Sequence, residues 1–299
     1  MNSISVFRKV AMSVVISFLF LMCVEIILTA LNYPDIGIYR GDVNHVWWLR
    51  KNLDRQVLHV EEEQYFTVIT DDKGFRIAEQ NIKDDHIMKT EDYILALGCS
   101  TTFGWGVEGE QTWTHLLSQN IKTPVINAGV PGWSTFQAKH GLQAMEIPMP
   151  KLILMSYGIR DQQLSYSRDK EIEPASIMFQ LQIARLIRKG RGMSRGQPSS
   201  MRMVSRVSVG DYGRNIDEIS AIWPDVPILY FVFPNLRNGV SGHGQILLEK
   251  GGISFGREFK ESEFFLKDTL HLNREGNQLL SKKLTPYVTK LLGETNHIK

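Results

Sequence analysis

The chain is poor in cysteine, with two in 299 residues, Cys23 and Cys99, so no disulfide framework holds it together. Its eight histidines fall without metal-ligand spacing, and no catalytic metal is expected. It has no phosphate-binding P-loop, no dinucleotide-binding strand–turn–helix is read from it, and no cofactor is expected. It also lacks an excess of charge of one sign: 34 Lys and Arg stand against 32 Asp and Glu, a net charge of +2. That balance argues against a dedicated nucleic-acid binder, which carries a basic face. With 43% hydrophobic residues the chain is neither disordered nor collagen-like.

Long apolar runs are also absent, with one exception. Residues 10 to 31 read VAMSVVISFLFLMCVEIILTAL, interrupted only by Ser13, Ser17, Glu25 and Thr29. As a helix this segment is about 33 Å long, enough to cross a hydrocarbon core. It is too long for a typical cleaved leader, and no small-x-small site follows it. The expectation is an uncleaved signal anchor, a single-pass span over residues 10–31 after a short N-terminus, residues 1–9. Arg8 and Lys9 precede it with no acid before them, which places the N-terminus in the cytoplasm and the rest of the chain outside it, on the periplasmic or extracellular side. Glu25 lies about 9 Å along the axis from the outer end. It reads either as a contact with another membrane protein or as a tolerated carboxylate near the interface.

From 32 to 92 no long helical period appears. The alternating QYFTVIT (64–70) and the turn-like Asp71-Asp72-Lys73-Gly74 predict a short β-rich module or stalk, with Trp47 and Trp48 packing on the main domain. From Tyr93 onward, apolar runs at 93–98, 124–129, 151–158 and 227–233 alternate with helix-like stretches at about 110–120, 135–146, 176–189, 212–222 and 274–292. That alternation predicts a parallel sheet covered on both faces, a doubly wound α/β domain over 93–299. Residues 164–208 interrupt the order with Arg185, Arg188, Lys189, Arg191, Arg195, Arg202 and Arg206. This basic insertion reads either as a solvated helix and loop or as a surface for anionic headgroups or an acidic substrate.

Ligands in such sheets bind beyond the carboxyl ends of the strands. Four segments there carry polar residues a turn alone does not require: Gly98–Gly106, Asn127–Thr135, Tyr157–Asp161 and Asp268–Gly276. Ser100 sits between a glycine turn and a helix, placed as a nucleophile whose own N–H can bind an oxyanion. Asp268 and His271, three residues apart before the last helix, supply the base and the carboxylate that orients it.

The ordered set GCSTTFG, NAGVPG, YGIRD and DTLHLN resembles the four sequence blocks of the SGNH, or GDSL-type, hydrolases over about residues 93 to 292. The anchor and VITDDKGFR resemble those of bacterial membrane-anchored members. The resemblance implies a flavodoxin-like three-layer α/β/α fold and ester hydrolysis or acyl transfer. By position it makes Ser100 the nucleophile, His271 the base, Asp268 its partner, and the Ser100 and Gly132 backbones oxyanion donors. Two positions depart from the pattern: Cys99 replaces the usual Asp, and Arg160 replaces the Asn that donates from the third block. Arginine can also donate, or it can turn away to pair with Asp161. The expected function is a serine esterase acting on a small acyl ester, such as an O-acetyl group, of an envelope glycan or lipid. Two alternatives stand beside it: an O-acyltransferase to a surface polysaccharide with the same triad, and a non-catalytic partner of an envelope-assembly complex that engages a membrane protein through Glu25.

Overall fold

A computed structural model of the chain describes residues 3–31, 33–42, 46–79, 92–171, 181–192, 203–236 and 239–295. The apolar run forms α1 (Ser3–Ala30), of which Val6–Ala30 is long and apolar enough to cross a membrane, with the residues of its most apolar stretch unburied. Strands β1 (Tyr39–Asp42) and β2 (Val46–Leu49) pair antiparallel as a small separate sheet. Next come β3 (Asp54–His59), β4 (Gln64–Thr70) and β5 (Arg76–Ile77), followed by β6 (Ile94–Gly98), the one-turn helix α2 (Ser100–Phe103) and α3 (Trp113–Ile121). The alternation continues through β7 (Val125–Gly129), α4 (Thr135–Gln143), β8 (Leu152–Ser156), the short β9 (Leu164–Ser165), α5 (Gln182–Gly192), and β10 (Val204–Ser205), which pairs with β9. The chain closes with α6 (Val209–Ser220), β11 (Ile228–Val232), α7 (Gly242–Glu249), β12 (Ile253–Ser254) and α8 (Arg274–Thr295).

The main sheet has eight strands in the order β12-β11-β8-β6-β7-β5-β4-β3. Its parallel part, taken from β7, runs second, first, third, fourth, fifth in chain order, which is the flavodoxin-like winding. The strands read as unbroken apolar runs because both faces are covered. Successive side chains of β6 alternate between the two cores. Leu95 and Leu97 join Trp133, Ala138, Tyr212 and Ile216 under α4 and α6. Ile94 and Ala96 join Trp113, Leu117, Leu280 and Leu284 under α3 and α8.

Of the β-rich module or stalk expected over 32–92, three strands join the main sheet. β5 pairs antiparallel with β7 through Arg76 and Asn127, β4 pairs with β5, and β3 with β4, so the module extends the parallel sheet by three strands. The physical reason is the free edge of β7, whose unpaired N–H and C=O groups need a partner. Asp71 builds the turn between β4 and β5, accepting from the N–H groups of Lys73 and Phe75. Trp48 is buried against Trp133 at 4.6 Å between ring centroids, and Trp47 Nε1 donates to Pro131 O at 3.2 Å. Of the basic insertion, residues 172–180, 193–202 and the side chains of 188–192 lie outside the described residues, so Arg188, Lys189, Arg191, Arg195 and Arg202 are not placed.

Candidate active site

The chain leaves β7 on one side of β6 and returns through β8 on the other, so the loops beyond β6, β7 and β8 diverge around a switch point. Ser100 opens α2 directly after β6 and is 1% exposed. Gly98 makes the approach possible, because a Cβ there would stand 2.0 Å from Thr102 Oγ1 and 2.8 Å from Ser156 O. Asn127 on β7 holds the turn from beside it. Its Nδ2 donates to Thr102 O at 2.9 Å and to Thr114 Oγ1 at 3.0 Å. Cys99 is buried, with Sγ 3.4 Å from Thr101 Oγ1.

Asp268 and His271 enter from the loop before α8. Ser100 Oγ lies 2.8 Å from His271 Nε2, and His271 Nδ1 lies 2.5 Å from Asp268 Oδ2. A carboxylate accepts only, so His271 donates through Nδ1, and Nε2 is left to accept the Ser100 hydroxyl proton. Sequence reasoning placed these three residues, and the fold brings them together.

It missed what holds them. His59, the last residue of β3, is fully buried and donates through Nε2 to the same Asp268 Oδ2 at 2.9 Å. Its Nδ1 has no partner and faces Gly106, where an added Cβ would stand 2.5 Å away. A carboxylate only accepts, so Nε2 carries the proton of this bond. Glu62, at the β3–β4 tip, accepts from the N–H groups of Lys267 (2.6 Å) and Asp268 (2.8 Å). Burial pushes the Asp268 carboxyl up, but the hydrogen bond and charge of His271 and the hydrogen bond from His59 outweigh it, holding Asp268 well below the usual carboxylate range. His59, Glu61 and Asp268 place three ligand atoms within 4.8 Å, the one such grouping among the described residues. With Asp268 Oδ2 shared by two imidazoles and Glu61 exposed, this is a hydrogen-bonded chain and not a cation cage.

Arg76 is the second residue missed. It is buried on β5 and donates to the carbonyls of Phe103, Gly104, Val107 and Thr67, with its guanidinium carbon 4.4 Å from the Phe103 ring centroid. The first three are carbonyls at the end of α2 and in the loop behind Ser100, and Thr67 lies on β4. Burial lowers its pKa to about 9, against the raising effect of Glu108 and Glu110. That loop spells G-x-G-x-x-G from Gly104 to Gly109, letters the sequence reading passed over. Here they follow α2 instead of a strand, and Gly106 packs on an imidazole, so they do not form a dinucleotide turn.

Gly132 sits beyond β7 with φ +84°, a left-handed conformation that favours glycine. Arg206, read from sequence as part of a charge run, donates to Gly132 O at 2.8 Å and pairs with the buried Asp169, which also accepts from Ser134 Oγ at 2.6 Å. Among the described residues, the N–H groups of Ser100 and Gly132 donate to no protein acceptor. Arg160 does not pair with Asp161. That buried carboxylate accepts from Thr135 N and Oγ1 and from Gly158 N, while Arg160 Nη1 donates to Gln163 at 2.9 Å and its buried Nε has no partner. Arg160 makes no hydrogen bond to Ser100, Asp268 or His271. Two cavities, of about 390 and 190 Å³, share Val232, Phe233, Asn235 and Val240 at the end of β11, and the smaller reaches Ile159 beside Arg160.

No family model matches the chain, and no curated protein matches it. Among solved structures, the psychrotrophic esterase EstA from Pseudoalteromonas sp. aligns at TM-score 0.42 and 17% identity, covering 68% of this chain and 99% of that one. A lipase/acylhydrolase from Enterococcus faecalis aligns at TM-score 0.42 and 15% identity, covering 66% and 95%. A family two carbohydrate esterase from Clostridium thermocellum in complex with cellohexaose aligns at TM-score 0.43 and 13% identity, covering 68% and 65%.

Proposed function

We propose that the protein is a membrane-anchored serine ester hydrolase. The observation that carries the reading is the buried chain Ser100 Oγ, His271 Nε2, His271 Nδ1, Asp268 Oδ2, with links of 2.8 and 2.5 Å. Ser100 attacks an ester carbonyl as His271 takes its proton, and Asp268 keeps His271 in the required tautomer and stabilises the imidazolium that forms. The unpartnered N–H groups of Ser100 and Gly132 receive the developing oxyanion, with the fixed charge of Arg160 on the next loop, after β8. His271 then returns the proton to the leaving alkoxide, and the acyl group remains on Ser100. Water releases it in hydrolysis, and a sugar hydroxyl accepts it in acyl transfer.

Topology supports a small acyl ester of an envelope glycan or lipid as substrate. Arg8 and Lys9 on the N-terminal side of α1 keep that end in the cytoplasm and the site outside it. The test is an ester panel on the full-length protein, with and without a glycan acceptor. Hydrolysis that acceptor leaves unchanged identifies a hydrolase. Product formed mainly on the glycan identifies a transferase, and turnover equal to the Ser100→Ala background rejects both.

His59 enters this mechanism through Asp268. Deleting a hydrogen bond to a charged group costs about 1.5–3 kcal/mol, roughly 10- to 150-fold in rate. His59→Phe is therefore expected to lower kcat by that factor with KM unchanged, and His59→Gln, which restores a donor, to recover part of it. Unchanged kcat in His59→Phe removes His59 from the positioning chain. Arg160→Leu removes a charge that makes no hydrogen bond to Ser100, His271 or Asp268, and is expected to lower kcat by less than about tenfold. Steady-state kinetics on the most reactive ester of the panel checks both.

A further inference from the structure

Glu25 is the one acid inside the apolar run, and its carboxylate is occupied within the chain. Oε1 accepts from Gln182 N at 2.7 Å and Oε2 from Ile183 N at 3.0 Å, the first N–H groups of α5. The negative charge thus meets the positive end of a second helix and satisfies two of its orphan donors. This fixes the depth of α5. Glu25 lies five residues before the end of α1, about 7.5 Å along the axis, and amphipathic helices in the membrane interface bury their apolar face about 5–10 Å deep.

The sequence of α5 fits that position. Ile183, Leu186 and Ile187 recur at one helical spacing, and Arg185, Arg188 and Lys189 at the opposite one. The apolar stripe is left open, with Leu186 37% and Ile187 52% exposed and Leu181 beside them 42% exposed. On α1, Leu21, Met22 and Ile26 are exposed as well and meet lipid if α1 spans.

We propose that α5 is an in-plane membrane helix. Its Ile183/Leu186/Ile187 stripe enters the acyl boundary of the leaflet at the outer end of α1, Arg185 on the other side of the helix faces anionic headgroups, and Glu25 is the cap that seats it. The occupant of the open face is lipid, because the contact that positions α5 is made by a residue of the span itself. This rests on the reading of α1 as a membrane span.

The test uses the full-length protein in vesicles of phosphatidylcholine with about one third phosphatidylglycerol. In a Cys23→Ala background, Ile187→Cys carries an environment-sensitive fluorophore, and a separate Leu19→Cys protein reports on the span. The expected result is blue-shifted Ile187 emission, quenched about twofold more by a shallow spin-labelled lipid than by aqueous iodide, and Leu19 emission quenched by a deep one. Adding Glu25→Leu is expected to return the Ile187 probe toward iodide. A probe open to iodide from the start, or one shielded from both quenchers as it would be against a protein partner, overturns the proposal while Leu19 still reads deep. A Leu19 probe that is not deep overturns the span, and the proposal with it.

Discussion

Ser100→Ala is expected to abolish labelling by a serine-directed fluorophosphonate and to lower ester turnover by about 10⁴- to 10⁶-fold, the loss found when a triad nucleophile is removed. No other nucleophile is placed to substitute. Cys99 Sγ faces Thr101 Oγ1, and it is Ser100 Oγ that reaches His271. The variant should fold, since the lost hydroxyl makes one hydrogen bond worth about 1 kcal/mol. Labelling that persists in Ser100→Ala, measured on folded protein, ends the triad reading.

Arg76→Met is expected to destabilise the domain by about 3–5 kcal/mol, because three buried carbonyls and the half-buried one of Thr67 lose a charged donor at once. For a domain of this size that is a fall in melting temperature of roughly 10 °C. Methionine fills much of the volume, so the loss reports hydrogen bonding more than a cavity. The carbonyls concerned close α2, so the surviving folded fraction should also react more slowly at Ser100. A melting temperature within about 2 °C of wild type would show that the loop finds other donors.

Asp268 ties the site to acid stability. Its folded-state pKa is depressed, so its contribution is fully present above the unfolded carboxylate value of about 3.9 and is lost as pH falls below that toward the folded value. In urea unfolding followed against pH, wild type should therefore lose stability between about pH 5 and pH 2 more steeply than Asp268→Asn.

The parallel core was legible because continuous runs such as ILALG have one reading once helices alternate with them. The grouping of Ser100, Asp268 and His271 was legible because a serine just after a strand and an acid three residues before a histidine are local patterns. The β-extension was not, since its closing strand β5 is two residues long and its pairing to β7 is a tertiary choice that no local periodicity records. His59 carries no signal of its own. A single histidine at the end of a half-exposed strand becomes informative only when Asp268 is seen beside it. Arg206 and Arg76 were masked for the opposite reason, as members of a charge run and of a turn motif, where a buried role looks the same as a solvated one. Glu25 stood out in sequence as an anomaly, but its answer lies 157 positions away.

The hydrogen bond from His59 to Asp268 joins residues 209 apart. A contact of that span closes a loop as long as the whole α/β domain, and such contacts form late because their entropy is spent before they are rewarded. Synthesis makes His59 first and Asp268, the residue it holds, 209 residues later. A chain made only as far as the sheet therefore carries Ser100 without the base proposed for it, and reactivity is expected only once the acid loop has docked.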